Sequence, residues 1–281
     1  LAGEGEEILG RKGKDNDLGL MLSSVEKAIF RILAEEQDGF WEGLLLAIAP
    51  ADRRFLKLKI MVAQDHPMPW DLMPEVRSVL VLFLKFKEFV LSENSVGDLP
   101  ARSWGKAYES TNRLLVRLME GVSEVLMEKG YEAVLTPPTH NFDRERLISL
   151  WSHKHLGYLA NLGTFGRNCQ LITPLGCGGR LGSLLTDCPL PYTPTWNLGE
   201  MCLGKRGGSC NKCVEACPVK ALEEEGIQRF SCFKRLEENI LNSPTLKGLN
   251  SSTHVCGKCV VVCPAKAQSL PEGLLYVRVT S

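Results

Sequence analysis

Eleven cysteines carry the clearest chemical pattern in this 281-residue chain, and all of them lie from Cys169 onward. Three form Cys210-x2-Cys213-x3-Cys217 with Pro218 directly after, and the pattern returns 46 residues later as Cys256-x2-Cys259-x3-Cys263 with Pro264. Residues 210–221 and 256–267 share eight identities in twelve, among them Lys212/Lys258, Val214/Val260, Lys220/Lys266 and Ala221/Ala267. That marks an internal duplication. One more cysteine stands ahead of each copy, Cys202 and Cys232, so eight thiols are available for two four-ligand sites.

The spacing discriminates between metals. Zinc sites also use C-x2-C pairs but have no need of a third cysteine four residues on, followed by proline. Two-cluster bacterial ferredoxins have that run, and its last cysteine crosses to the other cluster. The expectation is therefore one 4Fe–4S cluster on Cys202, Cys210, Cys213 and Cys263, and a second on Cys217, Cys232, Cys256 and Cys259. Seven residues separate Cys202 from Cys210, so a loop must bulge between the first two ligands. Paired zinc sites are the alternative. An odd cysteine count without a leader speaks against a disulfide framework. Cys169, Cys177 and Cys188 read as small buried hydrophobes. His153 and His155 are two apart, do not share a helix face, and make poor joint ligands.

Around these cysteines the composition is that of an ordinary globular protein: 44% hydrophobic, 23% charged, with 33 Lys plus Arg against 33 Asp plus Glu. Zero net charge argues against a dominant nucleic-acid or acidic-membrane surface. No apolar run reaches the roughly 20 residues of a membrane span, and no leader marks the chain for export, so the expectation is a cytoplasmic protein. Residues 1–17 read as a mobile tail. Ser23 or Ser24 would then cap a helix through Val25, Ile29 and Leu33. Val76–Phe86 reads as a buried strand, Tyr108–Lys129 as an amphipathic helix stopped by Gly130, and Tyr131–Leu135 as a short strand. Asp143 would cap a helix running to Leu162, followed by strands near 170–173 and 181–186. This alternation predicts an α+β chain in which an α/β sandwich, residues 18–195, precedes a two-cluster ferredoxin-like domain, residues 196–281. The proline-rich stretch Pro189–Pro194 would link them.

One segment ahead of the cysteines narrows the reading. Asn161-Leu162-Gly163-Thr164-Phe165-Gly166-Arg167-Asn168 resembles the Gly-Leu-Gly-Trp-x-Gly-Lys-Asn signature of epoxyqueuosine reductases. Gly182-Ser183-Leu184-Leu185-Thr186-Asp187 is similar to that family's strand ending in Thr-Asp, and His66-Pro67 and Arg77–Val81 look like its first strand region. The resemblance covers about residues 60–265. These reductases are related to reductive dehalogenases. The resemblance implies a nitroreductase-like domain that binds cobalamin and receives low-potential electrons from the double-cluster module. It also implies cofactor contacts at Gly163, Gly166, Arg167, Asn168, Gly182 and Ser183. The other reading of these residues makes Gly163 a helix C-cap and the rest turn residues.

The chain also departs from the family. Without gaps, Leu147 falls where the family carries the Asp taken as proton donor; Asp143 is the nearest acid, and an N-cap role competes for it. Thr164 replaces the signature Trp and Arg167 the Lys. Eighteen residues follow Cys263, so no further C-terminal domain is expected, and tRNA is a doubtful substrate. The resulting expectation is an iron–sulfur oxidoreductase that passes electrons to a corrinoid bound or docked at the first domain. It would be served by a ferredoxin or flavodoxin. The alternatives are a reactivating protein that reduces the corrinoid of a separate partner protein, and epoxyqueuosine reduction in tRNA.

Overall fold

The computed structural model describes residues 3–139, 141–196, 199–223, 226–249 and 254–279, with side chains described from residue 17 onward. Eleven strands run through them: β1 (Trp41–Pro50), β2 (Ser78–Phe86), β3 (Ala133–Leu135), β4 (Phe142–Asp143), β5 (Ile148–Ser149), β6 (Thr164–Phe165), β7 (Leu171–Ile172), β8 (Gly179–Thr186), β9 (Leu222–Glu223), β10 (Gly226–Ile227) and β11 (Leu275–Arg278).

The core strands are written by an uninterrupted apolar run that sorts itself by the pleat. Successive side chains of a strand point to opposite faces. Leu44, Leu46 and Ile48 of β1 and Leu80, Leu82 and Leu84 of β2 enter one core, while Leu45, Ala47, Val79, Val81 and Phe83 enter another. Both faces are covered, so neither strand shows a polar alternation. The sheet has the order β11-β1-β2-β8-β3, and every pairing in it is antiparallel. Val25, Ile29 and Leu33 of the Gly3–Ala34 helix and Leu114, Leu115, Leu118 and Val122 of the Arg102–Met127 helix cover the first face. Phe55, Trp151, Leu156 and Leu162 cover the second.

Three expectations change. The first helix begins at Gly3, inside the segment expected to be a tail; Leu1 and Ala2 lie outside the described residues. Once the packed end is nucleated, propagation adds one hydrogen bond per residue fixed. Ser24 sits within that helix, its hydroxyl bonded to Leu20 O at 3.0 Å, and is no cap. In place of one helix from Asp143 to Leu162 there is the β4–β5 hairpin and then a short helix, His153–Leu159. Asp143 Oδ1 accepts the N–H groups of Glu145 and Arg146 at 2.8 and 2.9 Å, and Leu147 adopts φ 51°, which no right-handed helix passes through.

The cysteine-rich segment repeats its own geometry. Lys212–Glu215 and Lys258–Val261 are one-turn helices at matching points of the two copies, and the two turns pack together. Between them lies the helix Arg229–Asn242, which carries Cys232. The segment docks on the end of the Glu88–Ser95 helix and the loop that follows it. Asn94 Nδ2 donates to Cys256 O at 2.9 Å, and the buried Lys258 ammonium reaches Asn94 O and Val96 O at 2.7 and 3.0 Å. Gly257, at φ 74°, lies against the Trp104 indole where no side chain would fit. Past this segment the chain returns to the sheet: β11 pairs with β1 from Gly43↔Arg278 to Leu46↔Leu275. The span 196–281 therefore supplies a strand to the sheet of the first 195 residues.

Candidate functional site

All eleven cysteines are free thiols. Cys202, Cys210, Cys213 and Cys263 line one small cavity together with Gly166, Arg167 and Asn168. Burial, then the neighbouring Cys263 and Cys202, raises the Cys213 pKa. The other four also crowd one another. Burial and then Cys256, Cys232 and Cys217 push the Cys259 thiol far up, while burial with Cys256 and Cys217 takes Cys232 to about 11. Such thiols ionise when a polycation takes up their charge, and an iron–sulfur cluster does so. Among the described residues no three Cys, His, Asp or Glu side chains converge as ligands of a single metal ion. The donor set fits iron–sulfur clusters: four thiols line one cavity and the other four crowd one another.

Two residues tie the groups together. Asn168, buried, donates from Nδ2 to Cys259 O at 3.1 Å and to Cys177 Sγ at 3.6 Å. The Cys177 thiol donates to Val260 O at 3.7 Å and lies beside Cys263, whose pKa it draws down. Spacing alone made Cys177 a buried hydrophobe; its position beside a ligand follows from the β7–β8 connection, which has no motif.

A cavity of about 450 Å³ opens between the sheet and the cysteine-rich segment. Tyr108, Trp151, His153, Lys154 and Arg180 line it from one side, and Arg229, Cys232 and Phe233 from the other. Three larger concavities lie elsewhere on the molecule: one of about 550 Å³ lined by Cys177 and Cys263, and two of about 770 and 850 Å³ lined by no cysteine. The floor of the cavity is polar and fully used. Ser183 Oγ accepts from Trp151 Nε1 at 3.0 Å and lies 2.9 Å from His153 Nδ1, whose Nε2 is 2.9 Å from Pro137 O. Burial drives the His153 pKa down to about 4, aided by Arg180. The Lys154 ammonium donates to Cys169 O at 2.9 Å and burial lowers its pKa. His155 falls to about 3 through burial and the adjacent Lys154.

The six residues expected to touch one cofactor occupy four places. Gly166, Arg167 and Asn168 belong to the first cysteine cavity. Gly163 packs against the Ile172 backbone, and the left-handed residue that ends the helix is Asn161, at φ 60°, in place of Gly163. A side chain at Gly182 would press on Leu115 at 3.2 Å, on the far face of the sheet. Ser183 lies beneath the larger cavity, bonded as above. As a set they form no cradle. Asp143 is spent on its turn, where the Arg146 N–H and side chain hold its carboxyl below the usual range. Leu147 does line the cavity. The described lining residues include no carboxylate.

Comparison with known proteins agrees with this reading. Residues 206–266 match the family model of the 4Fe-4S double cluster binding domain. Epoxyqueuosine reductase of Listeria monocytogenes is 27% identical over 193 residues, 61% of this chain and 46% of that protein. The chain thus spans about half the length of the curated relatives it matches. In fold it is similar to a crystal structure of epoxyqueuosine reductase with a tRNA-Tyr epoxyqueuosine-modified stem loop. There the TM-score is 0.56 at 19% identity, covering 88% of this chain and 65% of that one. It is also similar to a reductive dehalogenase whose structure suggests a mechanism for B12-dependent dehalogenation (TM-score 0.52, 16% identity, 78% of this chain and 29% of that one). The fold is the mixed α/β one of these proteins, with a double 4Fe–4S segment near its C-terminal end. The expectation against nucleic acid is corrected here. Overall neutrality does not weigh against an RNA ligand when a protein of this fold is solved with one. No described helix is long and apolar enough to cross a membrane.

Proposed function

We propose that the chain is an iron–sulfur oxidoreductase that passes single electrons through two 4Fe–4S clusters into the cavity walled by Cys232. Cys202, Cys210, Cys213 and Cys263 hold the first cluster; Cys217, Cys232, Cys256 and Cys259 hold the second. The observation that carries this is the double position of Cys232, which crowds Cys256 and Cys217 and also lines the 450 Å³ cavity. An acceptor there sits one side chain away from a cluster.

The resemblance brings cobalamin as that acceptor. Ser149 and Gln170 give the wall neutral hydrogen-bonding groups that suit the amide-rich rim of a corrinoid. When bound, it would supply a cobalt centre that takes electrons one at a time and uses them on a substrate. This chain's residues do the rest. Trp151 and Phe233 exclude water, the His153–Ser183 pair fixes the floor, and Lys154 holds a proton at Nζ inside the cavity. Burial makes that ammonium a readier donor than an exposed lysine.

A second reading, epoxyqueuosine reduction in tRNA, is favoured by the curated relatives. Anaerobically purified protein tests the first: iron and acid-labile sulfide in the amounts two 4Fe–4S clusters require, and a spectral shift on titration with cob(II)alamin. Zinc without sulfide would overturn the cluster assignment. Restored queuosine in a strain lacking its own reductase would decide for the second.

A further inference from the structure

Arg180 lies near the start of β8 with its guanidinium carbon 3.7 Å from the centroid of the Tyr108 ring. One terminal nitrogen donates to Pro138 O at 3.1 Å. Its Nε–H is buried and has no hydrogen-bond partner among the described residues, and Arg180 forms no ion pair with them. A buried Nε–H in that state on a half-buried arginine is uncommon, because desolvating a charged donor costs free energy that only a partner returns. The cavity it lines offers no described carboxylate to serve as that partner, and its other charged walls, Lys154 and Arg229, are cations too. Aromatic rings frame the same space: Phe233 meets Phe142 edge-on at 5.7 Å and stacks on His254 at 5.8 Å.

We propose that Arg180 is an anion-binding residue of this cavity, taking a carboxylate or phosphate group of a molecule that also carries a planar ring. The planar fork of arginine matches either oxyanion with paired hydrogen bonds, and stacking on Tyr108 fixes the plane of the fork. Cation–π contact with Tyr108 leaves the edge of the guanidinium as the surface for a ligand. The inference deepens the reading of the cavity as the place where electrons reach a bound molecule, and rests on it only for the choice of site.

The test is calorimetric titration of the anaerobically purified holoprotein with two matched pairs: benzoate against benzamide, and guanosine 5′-monophosphate against guanosine. At least one acid is expected to bind about tenfold or more tightly than its neutral partner, the usual worth of a charge-assisted bond. Arg180→Gln should erase the difference, and Arg180→Lys should restore part of it. Preference for benzoate identifies a small organic acid as the source of the anion, and preference for the nucleotide identifies a nucleic-acid phosphate. Equal binding within both pairs, no binding at all, or a difference that survives in Arg180→Gln overturns the proposal. Iron and sulfide content of the same preparation separates the two claims. Discrimination without clusters leaves the anion site and removes the redox reading; clusters without discrimination do the reverse.

Discussion

His153 Nδ1 and Ser183 Oγ lie 2.9 Å apart beneath the cavity, and the bond between them can run in only one direction. His153 Nε2 faces Pro137 O at 2.9 Å, and a carbonyl can only accept, so the ring proton sits on Nε2. Nδ1 is then an acceptor, and the Ser183 hydroxyl donates to it while receiving the Trp151 N–H. A serine expected to touch a cofactor instead locks a neutral imidazole in one tautomer.

That neutrality has a pH signature. Folded His153 titrates near 4 against about 6.5 unfolded, so between those values the unfolded chain binds the extra proton. Its contribution to stability is complete above pH 6.5, falls as pH drops toward 4, and is constant below; the full change is about 3 kcal/mol. His155, driven down by burial and Lys154, adds a loss of the same sign. Thermal melts of the anaerobic protein from pH 8 to 4 should show this decline. His153→Gln should be less stable at pH 8 but have a shallower slope. An unchanged slope would mean that the imidazole is charged in the fold.

Cys177 sits beside Cys263. It favours negative charge on that sulfur, and a polar neighbour of that kind stabilises a reduced, more negative cluster. Cys177→Ala is expected to keep its iron and lower the midpoint potential of one cluster, leaving the other unmoved, in an EPR-monitored redox titration. Cys188→Ala, a change in the main hydrophobic core, should shift neither potential. Loss of half the iron in Cys177→Ala would instead make Cys177 a ligand.

The β4–β5 hairpin offers two positions at which an acid would mean different things, Asp143 and Leu147. Asp143→Asn should keep whatever turnover the protein has, because the carboxylate faces its own turn and not the cavity. Leu147→Asp should fold at least as well, since Asp tolerates a φ of 51° better than Leu does. It also puts a carboxyl on the cavity wall, and the pH–rate profile should gain a new acidic limb. Abolished turnover in Asp143→Asn, with clusters intact, would return the proton-donor role to that residue.

The parts of the molecule legible in the sequence were those with a local signature. The duplicated cysteine motif folds into duplicated one-turn helices, and Cys202, Cys210, Cys213 and Cys263 line one cavity. The stripe Leu114–Leu126 gives its helix, extended at the front to Arg102, where Asn94 Oδ1 accepts the Ala101 N–H. The run Val76–Phe86 gives the central strand, which begins at Ser78. Hidden were the relationships set by distant partners. β1, apolar on both faces, has no period to read, and β11 is a strand only because β1 offers it an edge. The spread of Gly163, Gly166, Gly182 and Ser183 was hidden for the same reason: adjacent residues of a strand, such as 182 and 183, serve opposite faces.

Lys154 is the one ammonium among the described residues of the cavity wall, and it shares that wall with Cys232. Reduction of a bound molecule by two electrons needs protons, and the cavity shows no described carboxylate to give them. Burial lowers the Lys154 pKa, so the ammonium gives up its proton more readily than a lysine in water. Lys154→Gln should therefore cut turnover by about 10²–10⁴-fold, the range for loss of a general acid. Reduction of the clusters by dithionite should be unaffected. In the parent protein turnover should fall as pH rises through the lowered pKa, and that limb should vanish in the variant. Lys154→Arg, which keeps the charge but holds its proton at every working pH, should stay slow. If arginine restored the rate, the residue would be acting through its charge alone, and the proton would have to come from elsewhere on the wall, with Tyr108 the next group to test.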